Sequence, residues 1–130
     1  MGREAMTSAF DVIVQDDAMP DEPDMGFFLA WLDALRSGGY PQSSSMLRTS
    51  EGYCCLGVAC NVHPHTYPTT SGYTFEGSTD YQRMPKELRD RIGLPPDFEQ
   101  ELIDMNDVGS DFDDIADVIE EELDKFWRRA

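Results

Sequence analysis

Five side chains that could hold a metal ion or act as nucleophile and base fall within twelve residues: Cys54, Cys55, Cys60, His63 and His65. Two residues separate Cys60 from His63, a spacing common among zinc ligands. The cluster also fits a small cysteine-dependent hydrolase. Either Cys54 or Cys55 would be the nucleophile, activated at a helix N-terminus, and His63 or His65 would be the base.

The residues around these cysteines favour burial in a core instead. From position 53 to position 62 every residue is apolar or small except Asn61. Zinc clips usually lie in loops, and a histidine eight to eleven residues after the nucleophile would emerge at the far end of the same helix. We therefore expect buried, reduced cysteines, with no bound metal and no cofactor, and keep the hydrolase as the alternative function.

A short hairpin and a helix are predicted to position this cluster. Residues 49–52 have turn chemistry, so residues 47–48 can pair with residues 53–54. Residues 56–62 have the apolar spacing of a short buried helix. Alternation over residues 73–76 predicts a third strand.

Amphipathic patterns predict further helices around these strands. One covers residues 25–36, with Asp24 as N-cap and Gly38 at its C-terminal end. Others cover residues 86–92, a segment capped by Asp97, and a final helix capped by Ser110. The final helix carries an apolar stripe of Phe112, Ile115, Ala116, Ile119, Leu123 and Phe126. The predicted fold is α+β, with about four helices packed around a small antiparallel sheet.

The length of 130 residues suits one small domain, which we place at residues 25–130. Residues 1–24 hold seven acidic residues and one basic residue, and we expect them to be loosely ordered, with a short edge strand at 10–14. No apolar run approaches the roughly 20 residues that cross a bilayer. The N-terminus lacks the pattern of a secretory signal, so we expect a cytoplasmic protein.

The net charge of the chain limits the kinds of molecule that it could bind. The net charge is −16, from 26 acidic and 10 basic residues, which argues against direct binding to nucleic acid or to anionic membranes. Residues 97–124 hold 13 acidic residues and no basic one. A solvated helix face is the simplest interpretation, but such faces usually interleave lysine. We therefore predict a basic protein as partner.

The final helix places five carboxylates opposite its apolar stripe: Asp113, Asp117, Glu120, Glu121 and Asp124. Positions i and i+4 lie about 6 Å apart along a helix axis. That interval is similar to the phosphate spacing along one nucleic-acid strand. These five residues are the predicted partner-binding site.

Several motifs together resemble a family of small accessory proteins of tailed bacteriophages and prophages. They comprise the 31–42 segment with Tyr40 and Gln42, residues 47–48, the 52–60 segment Gly-Tyr-Cys-Cys-Leu-Gly-Val-x-Cys, residues 85–94, residues 105–107, and residues 110–120. The resemblance covers about residues 27–123 and leaves out the acidic N-terminus and residues 63–65. It implies a phage protein in the host cytoplasm and supplies no catalytic residues. From this resemblance we expect an accessory binding protein, for example a DNA mimic that inhibits a nucleic-acid enzyme or a defence system of the host.

Overall fold

The computed structural model describes residues 23–70 and 72–129, with side chains described up to position 125. The loose order expected of residues 1–22 and the strand predicted at 10–14 lie outside this part of the chain. Phe126, the last member of the predicted apolar stripe, has no described side chain.

The described chain forms five helices and two small antiparallel sheets, which confirms the α+β prediction. The order is α1 (Met25–Arg36), β1 (Arg48–Thr49), β2 (Gly52–Tyr53), α2 (Cys55–Val62), β3 (Tyr67–Pro68), β4 (Tyr73–Phe75), β5 (Ser78–Asp80), α3 (Lys86–Ile92), α4 (Pro96–Asp107) and α5 (Phe112–Arg129). The element count is therefore larger than the four helices and one sheet predicted from the sequence.

The predicted hairpin is present, but the predicted third strand belongs to a different sheet. Strand β1 pairs with β2 in the register Arg48 with Tyr53 and Thr49 with Gly52. The predicted strand at 73–76 forms β4, which lies between β3 and β5 in a separate sheet. Its partners are its own sequence neighbours, because the loops on either side are short enough to fold back as hairpins.

Two predicted helix caps are corrected and one is confirmed. Asp24 accepts a hydrogen bond from the Phe27 N–H at 3.1 Å, as an N-cap does. Helix α4 already begins at Pro96, so Asp97 lies inside its first turn. The cap of α5 is Asp111, whose carboxylate accepts from the Asp114 N–H at 2.9 Å. Ser110 lies one position before this cap, because α5 begins at Phe112, and its N–H bonds the Met105 carbonyl at the end of α4 at 3.0 Å.

Helix α2 lies at the centre of the domain and contacts α1, α4, β2 and β3. Its residues from Cys55 to Cys60 are all buried, as the uncharged run predicts. The Trp31 indole N–H donates to the Cys55 carbonyl at 3.0 Å and so ties α1 to α2. A Cβ on Gly57 would lie 1.8 Å from the Leu47 carbonyl oxygen, so glycine is required for this close approach.

One carboxylate of the acidic run is a core residue. Glu99 is 0% exposed and accepts from the guanidinium groups of Arg83 at 3.1 Å and Arg89 at 2.9 Å, and from the Met84 N–H at 3.0 Å. These bonds satisfy the buried charge and join α4 to α3 and to the chain before it.

Within the described chain, no helix combines the length and apolar character needed to cross a membrane.

Candidate partner-binding face

The five predicted carboxylates line one side of α5, and we name them the acidic face. Asp113, Asp117, Glu120 and Glu121 are exposed, and Asp124 is partly exposed. They fall within an arc of roughly 100° at 3.6 residues per turn. The opposite side is buried and consists of Phe112, Ile115, Ala116, Ile119 and Leu123. Helix α5 thus has the amphipathic arrangement that the sequence predicts.

Arg36 compensates two members of this face from the end of α1. Its Nη2 lies 2.7 Å from the Asp117 carboxylate and 2.8 Å from the Glu120 carboxylate. The pKa of Arg36 is raised, mainly by its hydrogen bond to Glu120 and next by its hydrogen bond to Asp117. The acidic run therefore has a basic partner in Arg36, which lies 81 positions before Asp117 in the sequence.

The first turn of α5 concentrates negative charge. The pKa of the exposed Asp114 carboxyl is raised, first by the charge of Asp111 and further by those of Asp117 and Asp113. A raised carboxyl pKa means that the charged form is disfavoured by its neighbours. Bringing a cation close to this turn would therefore relieve repulsion that the folded protein tolerates.

A second acidic stripe on α4 was not singled out from the sequence. Asp97, Glu101 and Asp104 are exposed and recur at i, i+4 and i+7. The same spacing joins Asp113, Asp117 and Glu120 sixteen residues later. The signal that could have revealed this stripe is the repeat of the spacing between the two helices.

Helix α2 separates Cys54 and His63, two of the residues named for the alternative cysteine–histidine site. Cys54 is the N-cap of α2 and His63 is its C-cap, nine residues on, or about 13 Å along a helix axis. Burial raises the pKa of the Cys54 thiol to about 11, although the N–H groups of Gly57 and Leu56 act in the opposite direction. The thiol is therefore protonated at neutral pH and is not an activated nucleophile.

Cys55 and Cys60 are buried, and the His63 ring packs against other aromatic rings. Burial raises the pKa of Cys55 and Cys60 well above the ordinary thiol range, and the Cys55 thiol lies 3.7 Å from the Leu102 carbonyl oxygen. The His63 ring packs against the rings of Phe27 and Phe75, at centroid distances of 5.4 and 5.3 Å. Among the described residues there is no group of three or more His, Cys, Asp or Glu placed to hold a metal ion.

Asn106 gathers several of the motif residues that are distant in sequence. Its Oδ1 accepts from the Cys55 N–H at 3.1 Å and from Gln42 Nε2 at 3.0 Å, while its Nδ2 donates to the Ser43 carbonyl at 2.8 Å. Gln42 Nε2 also lies 2.8 Å from the Ser110 carbonyl oxygen. This part of the phage-like pattern therefore has a structural explanation, because it joins the start of α2 to the end of α4.

Comparison with known proteins adds one partial likeness. A family model described as a domain of unknown function, DUF8296, matches residues 29–71, which run from α1 through the hairpin and α2 to the loop after β3. The acidic face on α5 lies outside the matched residues. No curated protein and no solved structure matches the chain.

Proposed function

We propose that this chain is a phage accessory protein whose acidic face binds a basic host protein, acting in the host cytoplasm as a DNA mimic or inhibitor of a nucleic-acid enzyme or defence system. The observation that carries the proposal is the placement of the face. Four carboxylates of α5 are exposed on one side of a helix whose other side is firmly buried.

The geometry matches what a DNA-binding groove contacts. Carboxylates that are i and i+4 on a helix stand about 6 Å apart, so lysines and arginines arranged for phosphates meet charges at similar intervals. A net charge of −16 adds long-range attraction to a basic surface and speeds encounter. Binding of this kind weakens as salt is added, because screening reduces the attraction between the two charged surfaces.

Arg36 supports this role by fixing part of the face. Because its guanidinium bonds both Asp117 and Glu120, it holds these carboxylates in place and ties α5 to α1. A partner then meets charges that are already ordered, which reduces the entropy lost on binding.

The test compares two variants that lose the same charge. The face variant combines Asp113→Asn, Glu121→Gln and Asp124→Asn, so the two ion pairs of Arg36 remain. The control variant combines Asp33→Asn, Glu51→Gln and Glu87→Gln, three exposed positions outside α5 and outside the acidic stripe of α4. Each protein is immobilised and exposed to a bacterial lysate, and bound proteins are eluted with a salt gradient and identified.

We expect wild type and the control variant to retain a basic nucleic-acid-binding protein that duplex DNA displaces, and the face variant to lose it. Equal retention by the face variant and wild type would show that the acidic face is only a solvated surface. Equal loss by both variants would show that net charge, and not this face, is responsible.

A further inference from the structure

A polar groove built from residues outside the acidic face borders the segment 42–46. It consists of three adjoining concavities of about 320, 250 and 420 Å³. The first and second share Asp107, and the second and third share Gln82. The shared residues place the three concavities side by side along this segment, and we refer to them together as the groove.

The segment beside the groove is held in an unusual conformation. Ser45 has a φ of 78°, a left-handed value that residues other than glycine seldom adopt. The Asp107 carboxylate accepts from the Ser45 N–H at 3.2 Å and maintains this turn. Strained residues held by their surroundings concentrate at binding and catalytic sites.

The groove presents side-chain amides, hydroxyls and one exposed ring. Ser44 lines the first concavity and is exposed, whereas the hydroxyl oxygen of its neighbour Ser43 is buried and does not reach the groove. Gln42 uses its Nε2 within the protein, which leaves its Oε1 as an acceptor. Gln82 lines the junction of two concavities, and Tyr81 is 48% exposed in the third.

Charge argues against an anionic ligand. Among the described residues that line the groove, the cation is Arg83, whose guanidinium already bonds Glu99 and Gln100. The protein as a whole is strongly negative. Phosphorylated peptides and nucleic acids require free basic groups, which this lining does not offer.

The usual modes of peptide binding also fit poorly. Strand addition needs free backbone groups, but along this segment the N–H and C=O of Ser43 bond Tyr53 and Asn106, and the Leu47 N–H bonds Tyr81. An amphipathic helix needs an apolar groove, whereas two of the three concavities here have a mainly polar lining.

We propose that this groove binds a neutral oligosaccharide. The side-chain amide of Gln82 can donate and accept, the Gln42 Oε1 and the carboxylate oxygens accept, and the exposed Ser44 adds a hydroxyl, so the lining matches the donors and acceptors of sugar hydroxyl groups. The exposed Tyr81 ring offers an apolar surface for the C–H face of a sugar ring. The proposal is independent of the acidic face, since the two sets of residues do not overlap.

The probes are maltotetraose and chitotetraose, which together present neutral hexose and N-acetylhexosamine units. Each is titrated into the full chain while backbone amide shifts are followed by NMR. We expect at least one probe to shift the amides of the groove segment, Gln82 and Asp107. Tyr81→Ala and Gln82→Ala should each weaken that binding about tenfold, while the fold, checked by the remaining amides, is retained.

Tyr67→Ala is the matched control, because Tyr67 is also exposed, at 61%, but lies on β3 away from the groove lining. It should leave the affinity unchanged. Absence of shifts with both probes at millimolar concentration overturns the proposal. Equal weakening by the Tyr67 and Tyr81 variants, or shifts confined to other parts of the chain, would also overturn it.

Discussion

The side-chain carbonyl of Asn106, at the end of α4, accepts the backbone N–H of Cys55, at the start of α2, at 3.1 Å. The N–H groups of a first helical turn have no partner within their own helix. Because Cys55 is fully buried, water cannot supply that partner. A residue 51 positions later in the chain does so instead.

Asn106→Ala should lower the free energy of unfolding by about 1–3 kcal/mol, because it leaves the buried Cys55 N–H without a hydrogen bond. Urea denaturation followed by circular dichroism measures the change. Val108→Ala is the control, since this neighbouring side chain is 81% exposed and its removal should cost less than about 0.5 kcal/mol. Similar losses in the two variants would contradict the bridging role of Asn106.

Two glycine substitutions in helices should have opposite effects. A Cβ at Gly57 meets the Leu47 carbonyl oxygen at 1.8 Å, so Gly57→Ala should destabilise the domain by at least about 1–3 kcal/mol. A Cβ at Gly26 has its nearest neighbour at 3.8 Å, so Gly26→Ala should be neutral or stabilise α1 by up to about 1 kcal/mol. Thermal unfolding distinguishes them, and a neutral Gly57→Ala would refute the close approach of α2 to Leu47.

Removing the buried carboxylate of Glu99 should be costly. Glu99→Leu leaves the Arg83 and Arg89 guanidinium groups without their shared partner, and we expect a loss of about 3–5 kcal/mol. Asp90→Asn is the comparison, because its pair with Lys86 joins i and i+4 on one helix and should contribute only about 0.3–0.5 kcal/mol. Denaturant titrations of both variants measure the difference, and a loss below about 1 kcal/mol for Glu99→Leu would contradict its structural role.

His63 should titrate below the ordinary histidine range. Burial against Phe27 and Phe75, followed by the charge of His65, lowers its pKa in the folded protein. The unfolded chain, with a pKa of about 6.5, then binds the proton more readily, so this residue's contribution to stability is lost as pH falls below 6.5. NMR titration of the imidazole measures the pKa directly. His63→Gln should flatten the corresponding part of the stability–pH curve, and a folded pKa at or above 6.5 would disprove the assignment.

The three thiols should resist alkylation in the folded protein. Burial raises the pKa of Cys54 to about 11 and raises those of Cys55 and Cys60 well above the ordinary thiol range, so almost no thiolate is present at neutral pH. Iodoacetamide labelling followed by mass spectrometry should show slow modification without denaturant and rapid modification of all three in urea. Rapid labelling of Cys54 alone in the folded protein would instead favour a cysteine-dependent enzyme.

Local patterns predicted the parts of the fold that depend on near neighbours. The wide apolar face of α1, its Asp24 cap and the hairpin at 49–52 follow from spacing and turn chemistry, and the structure contains all three. The sequence predicts Ser110 as the cap of α5, whereas the helix begins at Phe112 and is capped by Asp111, because sequence periodicity does not fix the first residue of a helix.

The sequence could not predict the contacts of the candidate site that join residues far apart in the chain. The exposure of the α5 carboxylates follows from helical periodicity, but their contact with Arg36 spans more than 80 residues. Glu99 looks like another surface acid in the run, and its burial depends on two arginines brought in by other segments. Periodicity identifies a face, whereas compensation of its charges depends on tertiary structure.

The short central helix has a consequence for folding. Helices below about 12–15 residues are marginal in isolation, and α2 has only eight residues. Its stability therefore depends on contacts with α1, which precedes it in the sequence, and with α4, which follows it and supplies Leu102 and Asn106. A fragment restricted to residues 29–71 would lack those contacts and remain unfolded. Amide exchange at the centre of α2 should then require opening of the whole domain, so that these protons report its global stability.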